Sequence, residues 1–252
     1  MLLKTINLGM HFGGLRAVDN FNLNIRSGEI VGLIGPNGAG KTTVFNMLTG
    51  IYEPTLGEIW FESGRIDGKA PHLINRQGIA RTFQNIRLFR SLSVLDNVRA
   101  ALHKQVDYTL ISSVLRLKSF YNTEQKIIKR SIDLLKLFEL DGRLEQQADS
   151  LPYGEQRKLE IVRAMATGPR LLLLDEPAAG MNPQETQNLI QLTRKLRDEF
   201  GVTILLIEHD MNLVMSICER IYVLDYGRQI AHGTPSEIQS NHDVIKAYLG
   251  EA

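Results

Sequence analysis

The sequence predicts an α/β fold built on a parallel sheet, because three short segments have the composition of buried strands. Apolar residues are continuous rather than alternating in residues 29–34 (EIVGLI), 171–174 (LLLL) and 202–207 (VTILLI). Strands that are covered on both faces have this pattern. Helical patterns follow the segments, and strands that alternate with helices indicate a parallel sheet with helices packed on it.

The first sixty residues predict a second, antiparallel sheet. Phe21, Leu23 and Ile25 alternate with polar residues, and residues 57–63 (GEIWFES) show the same alternation. Alternation of this kind is typical of strands with one solvated face. We therefore expect an antiparallel β subdomain beside the main sheet.

Residues 86–150 have a different pattern and contain no convincing strand. Apolar residues recur there at helical spacing along residues 124–140. We expect residues 86–150 to form an α-helical subdomain. It would be inserted into an α/β core that comprises residues 1–85 and 151–252, so that residues 1–252 form a single domain.

The composition excludes some classes of function. The 252 residues carry a formal net charge of +1, whereas nucleic-acid-binding domains concentrate Lys and Arg well beyond this balance, so no nucleic-acid partner is expected. The longest apolar runs fall far short of the ~20 residues that span a bilayer, so any action at a membrane would depend on partners. The single cysteine, Cys218, lies in an apolar stretch and is expected to be a small core residue.

The segment 35–43 (GPNGAGKTT) has the pattern G-x-x-x-x-G-K-[ST] of a phosphate-binding loop, placed between a predicted strand and a helical run as the pattern requires. Its glycines let several backbone N–H groups face one point, and the following helix start adds a partial positive charge. Lys41 adds a full charge, and the Thr42 hydroxyl is placed to ligate Mg²⁺. The alternative is a plain glycine-rich turn. The predicted nucleotide-binding residues are Gly35, Pro36, Asn37, Gly38, Ala39, Gly40, Lys41, Thr42 and Thr43.

An acidic pair after a predicted buried strand supplies the partner that such a loop needs for its metal ion. Asp175 and Glu176 follow the run LLLL, at the carboxyl edge where ligands bind in open α/β sheets. We expect Asp175 to hold Mg²⁺ through water and Glu176 to polarise an attacking water. Without the phosphate loop, the same pair would be interpreted as surface charge.

Two further candidates have weaker signals. His209 ends the third predicted strand, where an imidazole could hydrogen-bond the γ-phosphate or the attacking water. Alternatively, this position is unremarkable and the adjacent Asp210 simply caps the following helix. Gln84 lies where the core gives way to the helical segment, and by itself it is better interpreted as a turn glutamine.

Taken together, these residues resemble the ATP-binding-cassette (ABC) family over nearly the whole chain. The resemblance implies a P-loop NTPase (RecA-like) core, ATP hydrolysis, and ATP and Mg²⁺ as cofactors. It makes the loop at 35–43 the Walker A loop, with Lys41 among the catalytic residues, and it makes Asp175 the Walker B aspartate. Glu176 is then the catalytic glutamate, His209 the switch histidine, and Gln84 the Q-loop glutamine at the metal and catalytic site.

Phe12 matches the position at which the family keeps an aromatic ring that stacks on adenine. Such stacking is worth ~1–3 kcal/mol per base. The alternative is a core aromatic residue.

The segment 151–156 (LPYGEQ) is similar to the family signature, whose usual form is LSGGQ followed by a helix. The resemblance implies that Tyr153, Gly154 and Glu155 grip the γ-phosphate bound by the other protomer, so that two nucleotides lie between two chains. The alternative is an ordinary helix start in which Pro152 presets φ.

The signature departs from the usual form in three places. Pro152 replaces the serine, Tyr153 replaces a glycine and Glu155 replaces the glutamine. Loss of the serine removes one hydroxyl and one N–H, so the Gly154 N–H is expected to carry more of the grip. The charge of Glu155 would lie near the phosphates unless Arg157 or Lys158 offsets it.

The segment 176–186 (EPAAGMNPQET) resembles the family's D-loop, in which an aspartate usually stands where this chain has Asn182. Asn182, Pro183 and Glu185 also have the pattern of N-cap, N1 and N3 of a helix. Both interpretations can hold, because a capped loop is a rigid one.

Within the family, the closest resemblance is to the ATPases of branched-chain amino acid importers. It rests on the signature and D-loop segments, on the ending GTPSEIQSNHDVIKAYLGEA and on a long helical insertion around 100–125. In that insertion Leu110, Ile111, Val114 and Leu117 could pack on the core or on a partner. Related ATPases for urea or for lipopolysaccharide export share much of the pattern.

The resemblance also implies partners and a location. A second ABC ATPase subunit, in a homo- or heterodimer, and transmembrane permease subunits are expected, without direct contact between this chain and the transported substrate. The chain would then lie peripherally on the cytoplasmic face of the inner membrane.

Other classes of P-loop protein fit less well. A DNA-repair ATPase head would carry a long coiled coil, and a ribosome-associated factor would carry two cassettes, whereas this chain has one cassette and no heptad run. A P-loop kinase would need an acceptor pocket and a lid, and the sequence resembles neither.

Overall fold

The computed structural model describes residues 1–103 and 118–249. The chain divides into two compact units, Met1–Gln84 with Arg170–Ala252, and Asn85–Pro169. In Met1–Gln84, the elements in chain order are β1 (Leu3–Phe12), β2 (Leu15–Phe21), β3 (Asn24–Ile25), β4 (Ile30–Ile34), α1 (Lys41–Leu48), β5 (Leu56–Phe61), β6 (Gly64–Arg65), α2 (Pro71–Arg76) and β7 (Ile79–Arg81). The remaining elements are α3 (Val94–Leu102), α4 (Lys118–Leu137), α5 (Tyr153–Ala166), β8 (Leu171–Asp175), α6 (Pro183–Phe200), β9 (Thr203–Ile207), α7 (Met211–Ile217), β10 (Arg220–Asp225), β11 (Arg228–Gly233), α8 (Pro235–Gln239) and α9 (His242–Leu249).

The main sheet of the first unit has the order β11-β10-β4-β9-β8-β7 in the described part of the chain. The neighbours from β10 to β7 are parallel, and β11 runs antiparallel to β10. Every residue of β4, β8 and β9 is buried, which is why their apolar runs are continuous. The predicted α/β fold with a parallel sheet is therefore confirmed.

A second sheet in the same unit has the order β2-β1-β5-β6, with β3 also paired to β1. These pairings are antiparallel. Phe21 and Ile25 are fully buried at the ends of β2 and β3, while their polar neighbours face outward. This sheet is the antiparallel subdomain that the alternating residues predict.

One hydrophobic cluster joins the two sheets to the helix between them. It contains Leu3 and Phe21 of the antiparallel sheet, Leu33 and Tyr222 of the main sheet, and Phe45 of α1. Each of these side chains is at most 1% exposed. The cluster therefore fixes the start of α1, and with it the phosphate loop, against both sheets.

The second unit is helical over the residues that the structure describes. Helix α3 begins at the N-cap Ser93, whose side chain accepts the Asp96 N–H, and α5 packs on both α3 and α4. The boundary expected at 150/151 differs from the division after Pro169, because the contacts of α5 are with this unit. The insertion residues Leu110, Ile111, Val114 and Leu117 lie outside the described residues.

Among the described residues, none of the helices combines the length and the apolar composition needed to cross a membrane.

Candidate functional site

The phosphate loop joins the end of β4 to the start of α1. Gly35 has φ 150° and Gly40, the N-cap of α1, has φ 104°. A Cβ atom at Gly35 would lie 2.0 Å from the Leu224 carbonyl oxygen, and one at Gly40 would lie 2.6 Å from the Ala17 carbonyl oxygen. Both positions therefore require glycine, because the loop runs directly against the backbone of β10 and β2.

Lys41 closes the loop from its helical end. Its Nζ donates to the carbonyl oxygens of Gly35 at 2.7 Å and Pro36 at 2.9 Å. Burial lowers the pKa of Lys41, and the nearby carboxylates of Glu176 and Asp175 partly oppose this shift. The loop therefore holds a cation beside the two acidic residues that follow β8.

A cavity of about 670 Å³ lies over the loop and belongs wholly to the first unit. Residues 37–43 form one wall, and Phe12, Gln84, Glu176 and His209 contribute to the others. The structure thus places most of the predicted site residues of this unit around one cavity. Gly35 and Pro36 form the loop beside Lys41, and Asp175 ends β8, but none of the three is among the residues that line this cavity.

Glu176 is the point at which the polar side chains of the cavity meet. The Gln84 Nε2 donates to Glu176 Oε2 at 2.8 Å, and the His209 Nε2 contacts Glu176 Oε1. Glu176 has φ 48°, and its N–H donates to the Ile207 carbonyl at 2.9 Å. A non-glycine residue in this left-handed region is strained, and such strain is typical of functional sites.

Asp175 lies at the buried end of β8, and its side chain is engaged by Arg81. The Arg81 Nη2 donates to Asp175 Oδ2 at 2.7 Å, and the two side chains are 6% and 3% exposed. The Asp175 N–H also donates to the Thr82 hydroxyl at 3.3 Å. Sequence reasoning missed Arg81, although it stands only three residues before Gln84.

Glu208 was also missed, and it connects the loop after Glu176 to the loop that carries His209. Its carboxylate accepts the N–H groups of Ala178 at 2.7 Å and His209 at 3.0 Å. Burial raises the pKa of Glu208, while these N–H bonds oppose the shift and Glu176 adds to it. An acidic residue that directly follows an apolar strand and precedes His209 was the available signal.

Two neighbouring predictions concern helix caps, and both caps are confirmed. Asp210 accepts the N–H groups of Asn212 and Leu213 at the start of α7. Asn182 and Glu185 form a reciprocal capping box at the start of α6, with Pro183 in its first turn. The D-loop segment therefore ends in a rigidly capped helix.

Phe12 stands at the rim of the cavity. Its side chain is 42% exposed, and its ring meets Tyr52 edge to face with centroids 5.4 Å apart. The alternative interpretation as a core aromatic is therefore wrong. The exposed ring is available to a flat ligand that enters the cavity.

The signature-like segment belongs to the second unit. Pro152 is the N-cap of α5, so that Tyr153, Gly154 and Glu155 form its first turn. Glu155 pairs with Arg143, with nitrogen and oxygen 3.4 Å apart. Arg143 is therefore a cation that offsets the charge of Glu155.

The two cations considered as an offset for the charge of Glu155 contact other groups. Arg157 contacts Glu160 at 2.9 Å and the Tyr153 hydroxyl at 3.2 Å, whereas Lys158 contacts Glu139 at 3.4 Å.

The residues predicted to hold Mg²⁺ have suitable chemistry. The Thr42 hydroxyl, the Asp175 carboxylate and the Gln84 amide offer oxygen ligands, which Mg²⁺ prefers. Over residues 1–103 and 118–249, no cluster of three or more His, Cys, Asp or Glu side chains could hold a metal by itself.

Comparisons with known proteins give consistent matches. A family model described as ABC transporter matches residues 18–179, and one described as branched-chain amino acid ATP-binding cassette transporter matches residues 228–252. The chain is 50% identical to the high-affinity branched-chain amino acid transport ATP-binding protein LivG of Escherichia coli (strain K12), covering 100% of this chain and 98% of LivG. It is 38% identical to the lipopolysaccharide export system ATP-binding protein LptB of the same strain, covering 99% and 97%.

Two solved structures extend the comparison to the fold. The ADP conformation of MJ1267, an ATP-binding cassette of an ABC transporter, matches with a TM-score of 0.86 and 29% identity over 99% of each chain. A dimeric post-hydrolysis state of the cassette MJ0796, bound to ADP and Pi, matches with a TM-score of 0.79 and 26% identity over 93% of this chain and 99% of the other.

Proposed function

This chain belongs to the ABC transporter family and is an ATPase, and we propose that its ATP hydrolysis drives the import of branched-chain amino acids through separate membrane subunits. The substrate class is supported by the greater identity to LivG than to LptB, 50% against 38%. The match of residues 228–252 to the branched-chain amino acid model supports it independently of the cassette motifs. Lipopolysaccharide or urea transport is the alternative.

The observation that carries the proposed ATPase site is the position of Lys41, Gln84, Glu176 and His209 around one cavity. The triphosphate would lie on the loop N–H groups and the start of α1, where backbone donors and the helix dipole favour anions. Lys41 would exchange its bonds to the two loop carbonyls for bonds to phosphate oxygens. Its charge would then stabilise the negative charge that develops on the γ-phosphate.

The water that attacks the γ-phosphorus would be held by Glu176. The water oxygen would form the new bond to phosphorus and give a proton to the Glu176 carboxylate, while the bond between phosphorus and the ADP oxygen breaks, which yields ADP and phosphate. Glu176 is positioned for this role because Gln84 and His209 each hold one of its carboxylate oxygens. His209 and Gln84 then orient the base and the water rather than react themselves.

Mg²⁺ would neutralise charge on the phosphates and is expected at Thr42, Gln84 and, through water, Asp175. Phe12 would stack on the adenine, because its ring is exposed at the rim of the same cavity.

We infer that the active unit is a dimer of cassettes. The first turn of α5, with Tyr153, Gly154 and Glu155, would contact the γ-phosphate bound by the second copy. The dimeric MJ0796 structure, bound to ADP and Pi, supports a dimer of cassettes by likeness. The dimer would lie peripherally on the cytoplasmic face of the inner membrane, with permease subunits as its membrane partners.

The test is reconstitution of the chain with candidate permease subunits in liposomes, followed by measurement of ATP hydrolysis and amino acid uptake. We expect leucine, isoleucine or valine, presented with a binding protein, to stimulate hydrolysis. Glu176→Gln should retain ATP binding and lose turnover by about 10²–10⁴-fold, as expected for loss of a general base. Stimulation by urea or by lipopolysaccharide instead would overturn the substrate class, and wild-type turnover in Glu176→Gln would remove Glu176 from its role.

A further inference from the structure

Arg81 makes a buried contact between the phosphate-loop helix and the end of β8. Its Nη2 donates to Asp175 Oδ2, and its Nη1 donates to Asn46 Oδ1 of α1, each at 2.7 Å. The guanidinium also lies 5.4 Å from the ring centroid of Phe45 and 5.2 Å from that of Phe83. Two hydrogen bonds and two aromatic faces therefore fix one cation beside the acidic end of β8.

Stability alone is a poor reason for such a pair. Removing both charges from water costs free energy that their attraction barely repays, so a buried ion pair adds little net stability compared with apolar packing. What the pair does supply is orientation. A planar guanidinium has a fixed fork of donors, and here the fork joins a carboxylate on β8 to an amide on α1.

We propose that Arg81 is a positioning residue for the metal site, and that it holds the Asp175 carboxylate by Oδ2 so that Oδ1 is presented to the Mg²⁺-bound water. The inference rests on the proposed ATPase function. It assigns Arg81 no contact with nucleotide or metal, and it makes the Arg81–Asn46 bond the link between the carboxylate and the helix that carries Thr42.

The critical variant is Arg81→Lys, which keeps the positive charge and removes the fork. A lysine cannot hold Asp175 and Asn46 at once in this geometry. We expect the affinity of the protein for a non-hydrolysable ATP analogue in EDTA to stay within about twofold, because the phosphates are held by the loop. The affinity for Mn²⁺ in the protein–analogue complex, measured by electron paramagnetic resonance, should fall about 10–100-fold, as when a group that orients a metal ligand is lost.

A control is available on β10, four strands away from β7 in the same sheet. Arg220 at the start of β10 pairs with Glu29 at 2.6 Å, donates to Asn24 Oδ1 at 2.9 Å and lies over the Tyr222 ring. Arg220→Lys thus removes a similar fork from a more exposed ion pair, away from the phosphate loop. It should leave both affinities unchanged.

A second pair of measurements separates positioning from folding. Asn46→Ala retains the ion pair and removes the hydrogen bond from Arg81 to Asn46. It should therefore lower Mn²⁺ affinity as well, by a smaller factor than Arg81→Lys does. This variant tests the inference even if Arg81→Lys folds poorly. In an Asp175→Asn background, Arg81→Lys should have no further effect on Mn²⁺ affinity, because residues that act through one another are not additive.

The outcomes distinguish the inference from the function on which it rests. If the wild-type chain binds no ATP analogue with Mn²⁺, the proposed function fails and the inference fails with it. If the wild type binds both while Arg81→Lys matches it, or loses analogue affinity equally with and without metal, the positioning role is overturned. Additivity with Asp175→Asn would also overturn it.

Discussion

Among single residues, Glu208 should make the free energy of unfolding depend on pH to a measurable extent. Its carboxylate is 3% exposed, and its pKa is raised above the ordinary 4.5 chiefly by burial. A group with a raised pKa in the folded protein contributes stability that is fully present below the unfolded pKa and is lost as pH rises through the folded pKa. The free energy of unfolding should therefore carry a contribution from Glu208 that decreases as pH rises above 4.5.

We predict that Glu208→Gln removes this dependence. Urea denaturation at several pH values measures the unfolding free energy of both proteins. The value for the wild type should decrease relative to that for the variant as pH rises above 4.5. Glu237→Gln is a control with the opposite sign, because the N–H and hydroxyl of Thr234 lower the pKa of Glu237. For this pair, the unfolding free energy of the wild type relative to that of the variant should increase as pH rises toward 4.5. Parallel pH profiles for wild type and Glu208→Gln would contradict the prediction.

Single residues also show where sequence reasoning succeeds and fails. Lys41, Glu176 and His209 were predicted because each belongs to a local motif at the edge of a predicted strand, whereas Gln84 was predicted only through the resemblance to the family. Arg81 was missed because its acidic partner lies 94 positions away in the chain.

The same limit applies to Glu208, which bonds an N–H group 30 positions away. Buried polar contacts of this kind depend on which strands become neighbours, and strand order was not readable from the sequence.

At the scale of elements, local chemistry predicts where a helix or strand begins better than it predicts which unit the element packs on. The caps at Asn182 and Asp210 and the buried strands were predicted, since each depends on a few consecutive residues. The assignment of α5 to the core was not supported, because a helix joins the unit on which it packs. Its apolar side could have faced either unit as far as the sequence shows.

We predict that Asn182→Ala lowers the free energy of unfolding by ~0.5–2 kcal/mol, because it removes the acceptor for the Glu185 N–H at the start of α6. Asn182→Asp should remain close to wild type, since aspartate is an equally good N-cap. Urea denaturation of the three proteins measures both effects. Equal losses in the two variants would show that the amide has a role other than capping.

At the scale of the whole molecule, we propose that each unit contributes a helix start to anion binding. The first unit supplies the start of α1 behind the phosphate loop, and the second supplies the first turn of α5. If the proposed dimer is correct, each ATP uses the loop of one chain and the α5 start of the other. ATP hydrolysis then requires both chains. A defect at the start of α1 and a defect at the start of α5 can therefore be placed on different chains.

The last prediction uses this separation. Lys41→Ala should bind ATP poorly, and Gly154→Asp should bind ATP while failing to hydrolyse it, because a carboxylate would stand where the partner's γ-phosphate is expected. Asp in the first turn is favourable for a helix, so α5 should still form. Gly142→Asp is the matched control: no other atom lies within 4 Å of a Cβ atom added at Gly142, and the variant should hydrolyse normally.

Mixing the two defective chains in equal amounts then gives a decisive result. Half of the dimers are mixed, and each mixed dimer contains one intact site, formed by Lys41 of the Gly154→Asp chain and Gly154 of the Lys41→Ala chain. Hydrolysis should recover to about a quarter of the wild-type rate, because a two-fold dimer pairs the same surfaces of both chains. Full hydrolysis by Gly154→Asp alone would show that the start of α5 takes no part in the reaction, and the dimeric site would have to be abandoned.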